Sequence, residues 1–176
     1  MSAPDETWSV GTTLGAPITT SLEAVARLPE IRLAGEHGTP NLELGPPLGQ
    51  GAVGVVLEGR QLGLARTVAV KVPRGDRTDG TAAASIVREA RIAGGLEHPN
   101  ILPVHMLGRD PGGRPLVVMP KVDGASWRAL LAHADHPLWV GFDGDALGRN
   151  LQVLGLVCRA VHLAHRRGVV HRDLKP

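Results

Sequence analysis

The run Gly49-Gln50-Gly51-Ala52-Val53-Gly54-Val55-Val56 spaces three glycines so that backbone N–H groups could approach phosphate oxygens with no Cβ in the way. Downstream, Thr67-Val68-Ala69-Val70-Lys71-Val72 alternates with period two. That sets Lys71 on the same sheet face as the small Ala69 and leaves room for a flat ligand beside the ammonium. Glu89 supplies an acid in an unexpected place. It stands three residues from Ile86 and three from Ile92, inside the apolar stripe of a predicted helix, where a carboxylate needs a cation. Lys71 is available, and a glycine loop followed by a paired lysine is what nucleotide binding would require.

Each feature also has a plainer reading. Glycines are common in this chain, with 23 in all, and a cluster of them can be a flexible hairpin tip. A strand lysine can belong to a solvated face, and Glu89 can face water beside Arg88 and Arg91 if the helix is rotated. A dinucleotide-binding loop must open a helix and meet an acid about twenty residues on. Here the β-branched Val55-Val56-Leu57 follow the loop, and the residue twenty positions past Gly49 is Ala69, so a strand–loop–strand arrangement fits better.

The elements that must position these residues can be read from periodicity. The spacing predicts strands from Asn41, with Pro46-Pro47 acceptable only on an edge strand, and an Ala-rich helix from Thr81 to Gly94-Gly95. A longer helix carries Leu147, Leu151, Leu154, Cys158, Val161 and His165 at helical spacing, capped by Asp145 and stopped by Arg166-Arg167-Gly168. Gly168-Val169-Val170 then leads into His171-Arg172-Asp173-Leu174-Lys175-Pro176, the most specific run in the chain. The coarse order is three strands, a helix, two strands, a short helix and the long helix.

In that order, the glycine loop, Val68-Ala69-Val70-Lys71, Glu89, the His98-Pro99-Asn100-Ile101 turn and His171 to Pro176 resemble a bacterial Hanks-type serine/threonine protein kinase. The resemblance covers about Asn41 to Pro176, and Lys175, two positions after Asp173, is the serine/threonine-type choice. It implies an α+β fold: a kinase-like N-lobe of five antiparallel strands plus one helix, a hinge, and the first helices of an incomplete helical C-lobe. The expected divisions are an N-terminal extension over 1–40, partly disordered, an N-lobe over 41–119, and hinge plus C-lobe start over 120–176.

Roles then follow from the resemblance, position by position. It implies that Gly49, Gly51 and Gly54 cover the phosphates of ATP, that Leu48, Val56 and Ala69 border the adenine, and that Lys71, aligned by Glu89, grips the α/β-phosphates. Asp173 would accept the proton of the attacking protein hydroxyl, and Lys175 would neutralise charge on the transferring group. Arg172 would sense an activation loop, and His171 would pack rather than react. Met119 stands in the gatekeeper place, and Pro120 and Val122 would meet the base through their backbones. Pro120-Lys121 depart from the family, where an acid and an aromatic are common; Pro120 would offer only its carbonyl, so the departure is tolerated. Ser126 is either a ligand for the ribose hydroxyls or the N-cap of a helix starting near Trp127.

The resemblance also implies Mg2+, with an Asn and an Asp-Phe-Gly expected beyond Pro176 and no metal ligands in this chain. On that footing the chain by itself is expected to be inactive, with self-association or poor solubility through the exposed face of the long helix. The rival reading is a non-catalytic nucleotide-binding or partner-binding module; a third is the product of a broken reading frame. Cys158, His162 and His165 could share a zinc, but Cys158 and His165 continue the apolar stripe and no fourth ligand has suitable spacing. His133-Ala134-Asp135-His136-Pro137 reads more simply as a polar turn.

Composition bounds the remainder. A net charge of +2 gives no footprint for nucleic acid, one cysteine excludes internal disulfides and suits a reducing cytoplasm, and no stretch reads as a leader or membrane span. Signalling is the setting the family implies. Residues 1–17, rich in Gly, Thr and Pro, read as disordered, and Thr20-Ser21-Leu22-Glu23 as a capping box opening a short helix to about Leu28.

Overall fold

The computed structural model describes residues 9–10, 22–35, 40–51, 53–74, 80–142 and 144–176. In chain order the elements are β1 (Ser9–Val10), α1 (Leu22–Ala26), β2 (Leu42–Gln50), β3 (Gly54–Gln61), β4 (Arg66–Pro73), α2 (Thr81–Gly94), β5 (Met106–Arg109), β6 (Pro115–Pro120), α3 (Trp127–Ala132), α4 (Ala146–Arg166) and β7 (Val169–Val170). They fall into two compact units. Of the described residues, the first holds those between 22 and 97 and between 102 and 121, the second residues 9–10, 98–101 and those between 122 and 176.

The first unit is an antiparallel sheet in the order β2-β3-β4-β6-β5, which makes the fold α+β with the five strands expected. Period-two alternation in β4 sends Val68 and Val70 to one face, where they pack fully buried with Leu42, Leu116, Val118 and Ile31. The opposite face carries Lys71 and receives α2. Ile86 and Ala90 of that helix pack on Val117 and Val53, removing their apolar surface from water. Pro46 and Pro47 lie on β2, an edge strand, where a missing N–H costs no ladder bond, and register shifts mark the strand between Leu44 and Gly49.

The division at residue 40 is not where this packing ends. Val25 and Leu28 are buried against Val87 of α2, and Ile31 lies in the main sheet core. Ile31 N donates to Arg109 O at 2.8 Å while Arg109 N donates to Pro29 O at 2.9 Å, so the segment joins the β5 edge of the sheet. A Cβ on Gly108 would come within 2.6 Å of Ile31, so the glycine is what lets this segment lie so close. Edge β5 is thus covered from a distance in sequence that local patterning cannot reveal. Ser9–Val10, inside the stretch read as disordered, pair with β7 in the second unit. Thr20 and Ser21 of the supposed capping box lie outside the described residues.

The β5–β6 hairpin holds the one buried charge among the described residues, Asp110. Its two oxygens accept from Arg114 N at 2.8 Å and Arg114 Nε at 2.7 Å, so the carboxylate keeps hydrogen bonds in place of water.

In the second unit, Asp145 Oδ1 accepts from Gly148 N at 2.8 Å and caps α4, and Gly168 with φ 72 turns the chain out of the helix, as the sequence predicts. His136 Nδ1 accepts from Leu138 N at 3.1 Å, which makes the His133–Pro137 stretch a capped turn. Ala160, Ala164 and Val169 are buried, whereas Leu147, Leu151, Leu154 and Cys158 form an exposed row. No helix among the described residues is long and apolar enough to cross a membrane.

Candidate functional site

The residues singled out for chemistry divide between the two units. In the first, β2 and β3 form the glycine hairpin, closed by Gly51 N donating to Gly54 O at 2.9 Å. The three glycines differ in what they leave open. A Cβ on Gly49 would meet nothing within 4 Å, and one on Gly51 only Gly54 O at 3.9 Å. That is a backbone open to an approaching oxygen anion. A Cβ on Gly54 would instead collide with Val72 O and sit 3.1 Å from Ile86 Cδ1. Gly54 is therefore demanded by the packing of β4 and α2, whatever else it does.

Lys71 projects from β4 beside Val56 of β3 and Val117 of β6, its cross-strand partners on the same face. Its Nζ lies 2.6 Å from Glu89 Oε2, with the two side chains 21% and 31% exposed. The acid in the apolar stripe has its cation, and the reading with Glu89 turned to water is set aside. Because both groups are partly solvated, the pair contributes up to about 1 kcal/mol to stability. Its larger consequence is geometric. The helix that carries Glu89 packs through Ile86 on Val117 of β6, the cross-strand partner of Lys71, so sheet and helix together hold the ammonium in one place.

Ala69 is 6% exposed and lies between Glu58 and Met119 in the same cross-strand row. Met119 packs on the Val117 cluster, and Pro120 ends β6. Leu48 is exposed on β2. Sequence reasoning overlooked one contact on this face: Lys121 Nζ lies 2.7 Å from Glu58 Oε2. The signal was present in the parity of β3, which puts Glu58 on the side of Val56, and in a lysine where an aromatic was expected.

The second unit carries Val122, Ser126 and the terminal run. Val122 is exposed. Ser126 Oγ accepts from Ala129 N at 3.2 Å, so the N-cap alternative describes what this oxygen does. His98 Nδ1 accepts from Asn100 N at 3.0 Å in a closed turn. At the end of β7, His171 Nδ1 accepts from Asp173 N at 3.3 Å, and Arg172 adopts φ 62. The imidazole thereby shapes the turn that presents Asp173. Asp173 Oδ2 lies 2.9 Å from Lys175 Nζ, with side chains 44% and 66% exposed. Carboxylate and ammonium are thus adjacent and open to solvent.

A nucleotide suits the first unit's chemistry: two open glycines, a fixed ammonium and a small residue on one sheet face. Among the described residues no group of three His, Cys, Asp or Glu side chains could hold a metal ion. Cys158, His162 and His165 instead line a groove of about 390 Å³ with Trp127, Leu174 and Lys175.

Comparison with known proteins supplies the family. The chain is 37% identical over 145 residues to serine/threonine-protein kinase PknB of Mycolicibacterium smegmatis, a match covering 80% of this chain and 22% of that protein. It is 35% identical over 144 residues to PknB of Mycobacterium leprae, covering 80% and 22% respectively. Against serine/threonine-protein kinase PknJ of Mycobacterium bovis it is 38% identical over 130 residues, covering 73% and 20%. The matched region therefore spans about a fifth of the length of these curated relatives. A family model described as protein kinase domain matches residues 42–176, and the chain belongs to that family.

Proposed function

We propose that the chain serves ATP-dependent phosphoryl transfer to serine or threonine hydroxyls of a protein substrate, in cytoplasmic signalling. The observation that carries this reading is the 2.6 Å Lys71–Glu89 pair, which joins the sheet to the helix packed on it and fixes an ammonium beside a glycine hairpin with open backbone. ATP supplies the γ-phosphoryl group. Gly49 and Gly51 leave the backbone free to approach its phosphates, and Lys71 holds the α/β-phosphates while Glu89 keeps the ammonium from swinging away. Val56, Ala69 and Leu48 offer apolar surface to the base.

Asp173 orients the substrate hydroxyl and takes its proton as the new O–P bond forms and the bond from the γ-phosphorus to the bridging oxygen breaks, releasing ADP. Lys175, already next to Asp173, offsets negative charge on the group in transit. Mg2+ would supply further positive charge to the phosphates in this reading. The exposed Leu147, Leu151 and Leu154 also make self-association through α4 part of the proposal.

The reading is tested by ATP titration and turnover in the intact protein. Lys71→Met should abolish ATP binding, and Glu89→Gln should lower phosphotransfer substantially. Equal titrations for the wild type and Lys71→Met would remove the nucleotide assignment.

A further inference from the structure

The contact between Glu58 and Lys121 crosses a strand to which neither residue belongs. Glu58 lies directly opposite Ala69, and Ala69 opposite Met119, so β3, β4 and β6 present these three residues as one row on the Lys71 face. Lys121 follows Met119 by two residues and bonds back to Glu58 at 2.7 Å. Since β3 and β6 flank β4 at about 4.8 Å on either side, the two backbones stand roughly 10 Å apart and the paired side chains must span β4 beside Ala69. A larger residue at 69 would compete for that space. The pair is neither fully exposed nor sealed, with Glu58 35% and Lys121 30% accessible.

We propose that Glu58 and Lys121 form a positioning pair for the nucleotide base: a strap that ties β3, and with it Val56 and the glycine hairpin, to the end of β6. This rests on the nucleotide reading given above. The strap acts through the residues it tethers and needs no direct contact with phosphate. Its removal should therefore loosen base recognition while leaving the grip of Lys71 intact. A lysine–glutamate pair on this face also makes base affinity sensitive to ionic strength, because half-exposed pairs are screened by salt.

Adenosine separates this idea from phosphate binding, because it is uncharged and carries no phosphate. In the intact protein, Lys121→Met and Glu58→Gln should each weaken adenosine binding by about threefold to fivefold, the range open to a half-exposed pair. Competition by tripolyphosphate should not change. The charge-swapped protein, Glu58→Lys with Lys121→Glu, should regain most of the lost affinity, and KM for ATP should move while kcat stays within twofold, roughly, as expected for a ground-state binding effect. Salt should weaken adenosine binding in the wild type and not in Lys121→Met. Unchanged adenosine affinity in both single variants overturns the strap, as does a charge swap that restores nothing. Failure of the wild type to bind adenosine or ATP at all would remove the nucleotide reading itself, and the strap with it.

Discussion

Lys71 and Glu89 stand 18 residues apart in sequence and meet at 2.6 Å; Asp173 and Lys175 stand two residues apart and meet at 2.9 Å. The first pair is held by a sheet and a helix that pack on each other through Ile86 and Val117, the second by a single turn braced through His171. One geometry is therefore a product of packing and the other of local chain conformation. Damage to the core of the first unit should reach Lys71 from a distance, whereas the terminal turn should respond chiefly to substitutions within it.

The comparison breaks most visibly at Ile86, which is fully buried on the face of α2 turned to the sheet. Ile86→Ala should cost about 2–5 kcal/mol in denaturant unfolding, because the cavity cannot collapse between a sheet and a helix. It should also weaken ATP binding by loosening the helix that carries Glu89. Leu151→Ala, on the exposed row of α4, should leave stability within about 0.5 kcal/mol, since little apolar area is lost. Equal costs at the two positions would erase the distinction.

Asp110→Ala sharpens the account of the first unit. It removes both acceptors facing Arg114 in the β5–β6 hairpin and should cost about 1–3 kcal/mol, read as a lowered unfolding midpoint with little change in slope. The glycine hairpin offers an internal control. Gly54→Ala should destabilise the fold by about 1–3 kcal/mol through its collision with Val72 O, whereas Gly49→Ala should unfold like the wild type and show its effect in nucleotide affinity. Matching unfolding curves for the two variants would mean that Gly54 is not a packing glycine.

The smallest effect concerns pH. His105 is exposed, and the slight desolvation it feels, with the positive charge of Arg66 as the lesser cause, holds it below its ordinary value of 6.5. The unfolded chain thus binds more protons than the folded one in the window just below 6.5, so stability should fall slightly as pH drops through it and level off above. His105→Gln should flatten that slope; a slope retained in the variant would assign it elsewhere.

Much of the site was legible because its signals are local. Period two placed Lys71 beside Ala69, a misplaced acid pointed to Glu89, prolines marked β2 as an edge, and Asp145 with Gly168 bounded α4. What escaped depends on partners distant in sequence. Ile31 looks like any apolar residue in a loop until Gly108 is seen to make room for it, and Ser9–Val10 give no hint of pairing with Val169–Val170. The glycine motif concealed a division of labour, since residue type alone cannot distinguish an opening left for a ligand from one filled by Val72 and Ile86. Ser126 illustrates the converse: two readings were equally compatible with its type, and Ala129 N takes its oxygen as a cap.

The most direct test of the central claim is transfer of labelled γ-phosphate from ATP to a serine- or threonine-containing protein by the intact protein, compared with Asp173→Asn. The proposal predicts a rate lower by about 10²–10⁴ for the variant, the usual range for losing a positioned general base, with ATP affinity and unfolding unchanged because Asp173 is half-exposed and held by its own turn. Phosphate transfer by Asp173→Asn at the wild-type rate would contradict it.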